Sequence, residues 1–182
     1  PGLSIRPQTR VDNRAAALVT LDGVKVGATS IVGTPGQGLQ ALSHIVDLAT
    51  VGLCAEMLGG MSQIFDDTLE YLKTREQFGV VIGSFQALKH RAAKVFMEIE
   101  LCRSSVMATA NAADDGDADL TLLVSLAKAR CSDAFILAAN ESVQMYAGIG
   151  MTDEHDAGFY LKRARATEMT FGDTAWHRDR WA

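Results

Sequence analysis

The chain has 182 residues, enough for one full domain and part of another. Hydrophobic residues make up 48% and charged residues 21%, an ordinary globular balance. A net charge of -5, with Lys and Arg scattered rather than clustered, excludes the basic patch that a nucleic-acid binder needs.

Residues 1 to about 33 alternate in the strand manner. Leu3-Ser4-Ile5-Arg6 and Ala17-Leu18-Val19-Thr20-Leu21 are β-prone, and the Asp22-Gly23 turn signal precedes a third short run, Val24-Lys25-Val26. Three strands bury too little to stand alone and must pack on something. The Gly and Pro density of Gly33-Thr34-Pro35-Gly36-Gln37-Gly38 marks a loop. The chain opens on Pro1-Gly2-Leu3 without an initiator methionine, as a piece of a longer polypeptide would.

Beyond Gly38 the apolar period changes from 2 to 3.6. The first helix is expected to carry Leu48, Val51, Ala55, Leu58, Ile64, Phe65, Leu69 and Leu72 on its inner face. A second helix, about Ser84 to Ala113, turns Leu88, Ala92, Val95, Phe96, Ile99 and Cys102 inward until Asp114-Asp115-Gly116-Asp117 breaks it. The third, about Ala118 to Tyr146 with Asp117 or Asp119 as its cap, turns Leu122, Leu126, Ala129, Phe135 and Leu137 inward. A shorter helix near His155 to Glu168 precedes the turn Phe171-Gly172-Asp173-Thr174, and a last helix begins after it. The expected fold is mainly α. It is an up-and-down four-helix bundle over residues 34–182, preceded by strands of a truncated β-domain over residues 1–33.

No apolar run reaches the roughly 18 residues of a membrane span, and no signal peptide is expected. Cys54, Cys102 and Cys131 lack metal-ligand spacing, and an odd number closes no disulfide framework. They read as small buried thiols in a reducing compartment, so the expected location is cytoplasmic. His44, His90, His155 and His177 are separated and mostly beside charges, as solvated or capping histidines are.

Arg75, at the end of the first long helix, either neutralises that helix's C-terminus or offers a planar fork to phosphate oxygens. Gln144 and Gly148 end the third helix, where the glycine is either a C-cap or a place for a ligand to approach the backbone. Gly52, Gly59 and Gly60 thin the first helix, for a close helix crossing or a wide pocket.

Read together, Asp47, Leu58-Gly59, Tyr71, Arg75-Glu76-Gln77-Phe78-Gly79, Phe85-Gln86, Ala127-Lys128 and Gln144-Met145-Tyr146-Ala147-Gly148 with Gly150 resemble the acyl-CoA dehydrogenase C-terminal domain. Residues 1 to 33 are similar to the closing strands of that family's middle β-domain. The resemblance implies FAD bound between subunits, with Arg75, Phe78, Gln86, Gln144, Gly148 and Thr174 as its contacts and Asp47 at the substrate. It implies α,β-dehydrogenation of an acyl-CoA thioester, with electrons passed to an electron-transferring flavoprotein, in a homo- or hetero-tetramer.

The family keeps its base, a glutamate, at one of two positions. Here they hold Gly172, and Ala49 followed by Thr50. Neither glycine nor alanine moves a proton. Three readings stay open. The chain is a base-less subunit whose partner supplies the glutamate, as in bacterial mixed tetramers that act on bulky substrates such as steroid side chains. Another carboxylate, Asp173 or Glu56, does the work. Or the chain is a non-enzymatic scaffold.

Overall fold

The structure, a computed structural model, describes residues 2–182; Pro1, where the chain opens, lies outside the described residues. Two compact units divide at Val46/Asp47. In the first, β1 (Leu3–Gln8) pairs antiparallel with β2 (Ala16–Leu21), with Leu3 opposite Leu21 and Ile5 opposite Val19. Those four apolar side chains are exposed. Val24-Lys25-Val26 forms no strand, against expectation. A strand is completed by its neighbour's backbone, and among the described residues β1 and β2 pair with each other alone. The Gly33–Gly38 segment is a loop, with Gly33 and Gly36 at φ of 77° and 86°.

Among the described residues there are five helices, and the mainly α bundle is as expected: α1 (Gly38–Thr74), α2 (Gln86–Asp115), α3 (Leu120–Tyr146), α4 (Ala157–Met169) and α5 (Thr174–Trp181). A two-residue hairpin, β3 (Glu76–Gln77) and β4 (Val80–Val81), joins α1 to α2. Gly116 ends α2 in the left-handed conformation, its N–H bonded to Ala112 O. Asp119 stands at the start of α3 but makes no side-chain cap; Asp117 instead accepts the Asp119 N–H at 2.8 Å.

The core lies among α1, α2, α3 and α4, around Met57, Met61, Val95, Phe135, Ala138 and Ala164. The three cysteines, far apart in sequence, meet there as buried free thiols. Hydrogen bonding to Cys102 and Cys54, with burial, pushes the Cys131 thiol far up, so it stays protonated.

Several inner stripes differ from expectation. On α1 the buried line runs Asp47, Thr50, Cys54, Met57, Met61, Thr68 and Leu72, which leaves Leu48 and Ala55 exposed. Phe96 on α2 and Leu122 and Leu126 on α3 are also exposed. Contrary to the sequence expectation, α1 is long and apolar enough, by length and composition, to cross a membrane. A core helix meets the same test, and α1 turns Asp47, Thr50 and Thr68 into the protein interior as a core helix does.

Candidate functional site

The hairpin after α1 sets the first part of the site. Its two-residue turn needs positive φ at both positions, and Phe78 (59°) and Gly79 (77°) supply it. A phenylalanine there is unusual twice over, because it is strained and its side chain is 90% exposed. Gly83, just beyond, is fixed by packing, since a Cβ would stand 2.6 Å from Leu72 O.

The hairpin faces the end of α3 across a cleft of 580 Å³. Arg75, Phe78, Gln144, Tyr146 and Gly148 line it. The Arg75 side chain is exposed and has no carboxylate partner among the described residues. Tyr146, with Tyr71 at 4.6 Å and His155 at 3.7 Å between ring centroids, forms a firm wall. Burial raises the Tyr146 phenol above its ordinary value. The C-cap role expected as one option for Gly148 falls to Ala147, at φ 55°. Gly148 has no positive φ, and a Cβ there would meet nothing within 4 Å. No packing contact requires glycine at 148, and its backbone lines the cleft.

Gln86 and Thr174 stand outside this cleft. Gln86 is the exposed first residue of α2. Thr174 opens α5 and donates to Asp133 at 3.3 Å, about 17 Å along α3 from Gln144.

The turn before α5 forms the second part. Lys128 is fully buried on α3, and its ammonium donates to Ser132 Oγ at 3.2 Å, Glu168 O at 3.0 Å and Gly172 O at 2.8 Å. All three donors are used, while burial lowers its pKa. His177 is not the solvated or capping residue expected. It is 1% exposed, with Nε2 3.1 Å from Phe171 O. Burial, then the Lys128 charge, pushes it down to about 4, so the ring is neutral. His155 does cap, accepting the Ala157 N–H at 3.1 Å, and His44 and His90 are exposed.

The candidate acids all have structural partners. Asp47, 3% exposed, receives Arg180 through two bonds of 2.7 and 2.8 Å and Thr121 at 2.9 Å. Asp173 caps α5 by accepting the Trp176 N–H at 2.9 Å. Glu56 is held by the Arg163 fork at 2.7 and 2.9 Å. Ala49 is exposed on α1, and Thr50 beside it is buried.

Residues 36–182 match the family described as "Acyl-CoA dehydrogenase, C-terminal domain". The chain belongs to the acyl-CoA dehydrogenase family. Members are FAD-dependent oxidoreductases. It is 40% identical over 123 residues to the acyl-CoA dehydrogenase IpdE2 of Mycobacterium tuberculosis, covering 68% of this chain and 37% of that one. It matches butyryl-CoA dehydrogenase from Megasphaera elsdenii with a TM-score of 0.94 at 25% identity, covering 100% of this chain and 48% of that one. A chain of the ChsE4-ChsE5 complex from Mycobacterium tuberculosis gives a TM-score of 0.89 at 26% identity, covering 99% and 48%. The chain spans about half, or less, of these acyl-CoA dehydrogenase relatives.

Sequence reasoning missed the roles of Lys128, Trp176, His177 and Arg180 in this acyl-CoA dehydrogenase domain. One signal was present: Lys128 lies four residues after Val124 and before Ser132, on a line that is otherwise apolar or small, where a solvated lysine does not belong.

Proposed function

We propose that this chain is a base-less subunit of an acyl-CoA dehydrogenase-type flavoprotein. It holds part of a FAD, and a dehydrogenase-like partner subunit supplies the glutamate that takes the α-proton of an acyl-CoA thioester. The observation that carries this reading is the state of the carboxylates. Gly172 and Ala49 bear none, and Asp173, Glu56 and Asp47 are each held by a donor of this chain. A base must bring a carboxylate oxygen within reach of the proton it removes, which here would mean giving up a helix cap or an ion pair. Asp173 as a helix cap and Glu56 in a two-bond ion pair are poorly placed for that task.

The cofactor end is equipped differently. The cleft suits FAD: Arg75 brings an unpaired fork for diphosphate oxygens, Phe78 an exposed ring, Gln144 a polar edge, and Gly148 a bare backbone that a ligand can approach closely. Gln86 and Thr174 keep their assignment as FAD contacts, and Asp47 its place near substrate, from the family resemblance. Bound FAD would supply the acceptor for the β-hydride, with an electron-transferring flavoprotein next in line.

Two further features support a mixed assembly acting on a bulky acyl group. The ChsE4-ChsE5 relative is a complex of two differently named chains. On α1, a Cβ at Gly52 or Gly59 would meet nothing within 4 Å, whereas one at Gly60 would stand 2.8 Å from Phe135. Of the three, Gly60 alone serves a close helix crossing, and the other two leave α1 thin where no described residue comes within 4 Å of an added Cβ.

Co-expression with a dehydrogenase-like partner chain that carries the family glutamate, read by absorbance in the flavin bands, tests the proposal. The expected result is a colourless chain alone, a yellow complex with the partner, and bleaching of that complex by acyl-CoA. A complex that stays colourless would sink the flavin reading. A chain that is yellow and bleached on its own would remove the need for a partner.

A further inference from the structure

Gly172 is held in a conformation with no room for a side chain. Its φ of +102° is one that L side chains rarely adopt. A Cβ there would stand 2.6 Å from Trp176 Cε3 and 3.2 Å from both Trp176 Cδ2 and His177 Nε2. Packed Cβ atoms essentially never stand as close as 2.6 Å, and 3.2 Å is tighter than most contacts, so a neighbour or the backbone would have to move.

Each neighbour is braced. The Trp176 ring is half-exposed, yet it meets His177 edge-on at 4.6 Å between centroids and has the Arg180 guanidinium 5.2 Å from its centre. Arg180 is anchored in turn by its two bonds to buried Asp47. His177 is tied to Phe171 O. On the backbone side, Lys128 grips the carbonyls of Glu168 and Gly172, at the two ends of the turn.

We infer that the turn before α5 is built closed at position 172. Trp176 fills the volume into which a side chain would project, while Lys128 and His177 fix the backbone that aims it there. The catalytic consequence rests on the acyl-CoA dehydrogenase reading above: one substitution at 172 does not restore a base, because Trp176 stands where the new side chain would begin. On that reading the glutamate has to come from another chain.

A double-mutant cycle in the full chain tests this through thermal unfolding of wild type, Gly172→Ala, Trp176→Ala and the pair. Gly172→Ala is expected to lower Tm by roughly 5 °C or more when Trp176 is present. In the Trp176→Ala background the drop should be less than half as large, the remainder reflecting the positive φ. An unchanged Tm on Gly172→Ala overturns the inference. An equal drop in both backgrounds does so too, since it assigns the block to the backbone alone. If Gly172→Ala does not fold, recovery of a folded chain on adding Trp176→Ala supports the inference, and failure of both overturns the part given to Trp176. The cycle requires neither flavin nor acyl-CoA, so its outcome is separate from the colour test that decides the functional reading.

Discussion

At the scale of single residues, the polar groups around α5 are buried with specified partners, and that makes their behaviour calculable. His177 is held near a pKa of about 4 in the fold, against about 6.5 when unfolded. The unfolded chain therefore binds a proton between those values and the folded chain does not. Stability from this group is complete above pH 6.5 and is lost as pH falls toward 4, by on the order of 1–3 kcal/mol. Urea unfolding across that range should show the loss, and His177→Gln should flatten it; an identical slope in the variant would reject the assignment. Lys128→Met keeps the apolar stem but strips two carbonyls of their donor, at a cost of about 2 kcal/mol after relief of the buried charge. Amide exchange should quicken over residues 170–176 more than elsewhere in α3, and a uniform increase would count against a local grip. Gly148 behaves in the opposite way. Because its side is open, Gly148→Leu should change stability by less than about 0.5 kcal/mol. It should still cost the assembled protein at least about tenfold in flavin affinity, which is roughly 1.4 kcal/mol.

At the scale of elements, α1 separates two meanings of the same residue type. Gly60→Ala pushes a methyl against buried Phe135 and should destabilise by about 1–3 kcal/mol. Gly52→Ala meets nothing and should gain about 0.5–1 kcal/mol from helix propensity. Opposite signs in urea unfolding are the expected outcome, and two losses would mean that both glycines pack. The long helices themselves were legible in the sequence because a 3.6-residue period sustained over many turns has few competing explanations. Which face turned inward was less so. Asp47, Thr50 and Thr68 are polar and outside any apolar stripe, yet they lie inside, where Asp47 meets Arg180 and Thr121, and Thr68 bonds back to Ile64 O. Of the six contacts that the family resemblance implied, Arg75, Phe78, Gln144 and Gly148 line one cleft, while Gln86 and Thr174 do not. The i, i+4 line through Val124 and Ser132 hinted that Lys128 is buried, but its partners, and the roles of Trp176 and His177, are contacts between α3, the turn and α5 that no local pattern encodes. The third strand failed for a related reason: β-propensity in Val24-Lys25-Val26 is satisfied only by a neighbouring strand.

At the scale of the whole molecule, the described residues leave unfinished surfaces of a consistent kind. The β1–β2 hairpin exposes its apolar side chains, and α2 carries Phe96, Met97, Leu101 and Met107 exposed, beside its buried line through Val95, Ile99, Cys102 and Val106. Isolated exposed apolar residues need no explanation, but an arc of them along one helix marks a surface meant to be covered. Position 172 and the cleft carry the same message in chemical form: one lacks a carboxylate, and the other presents an unpaired cation with a strained, exposed ring. On the proposed reading, association would meet both needs, covering apolar surface and bringing the glutamate. The purified chain, of 19.5 kDa, should therefore elute well above its monomer mass in size-exclusion chromatography with light scattering. The double variant Met97→Glu/Leu101→Lys, placed on the exposed side of α2, should move it toward monomer with its helical circular dichroism intact. If the variant keeps the wild-type mass, α2 is not the covered face and the association runs through another surface. If wild type is already monomeric alone but gains mass with the dehydrogenase-like partner, the arc is reserved for the mixed assembly, and the same two substitutions should then prevent the complex from turning yellow.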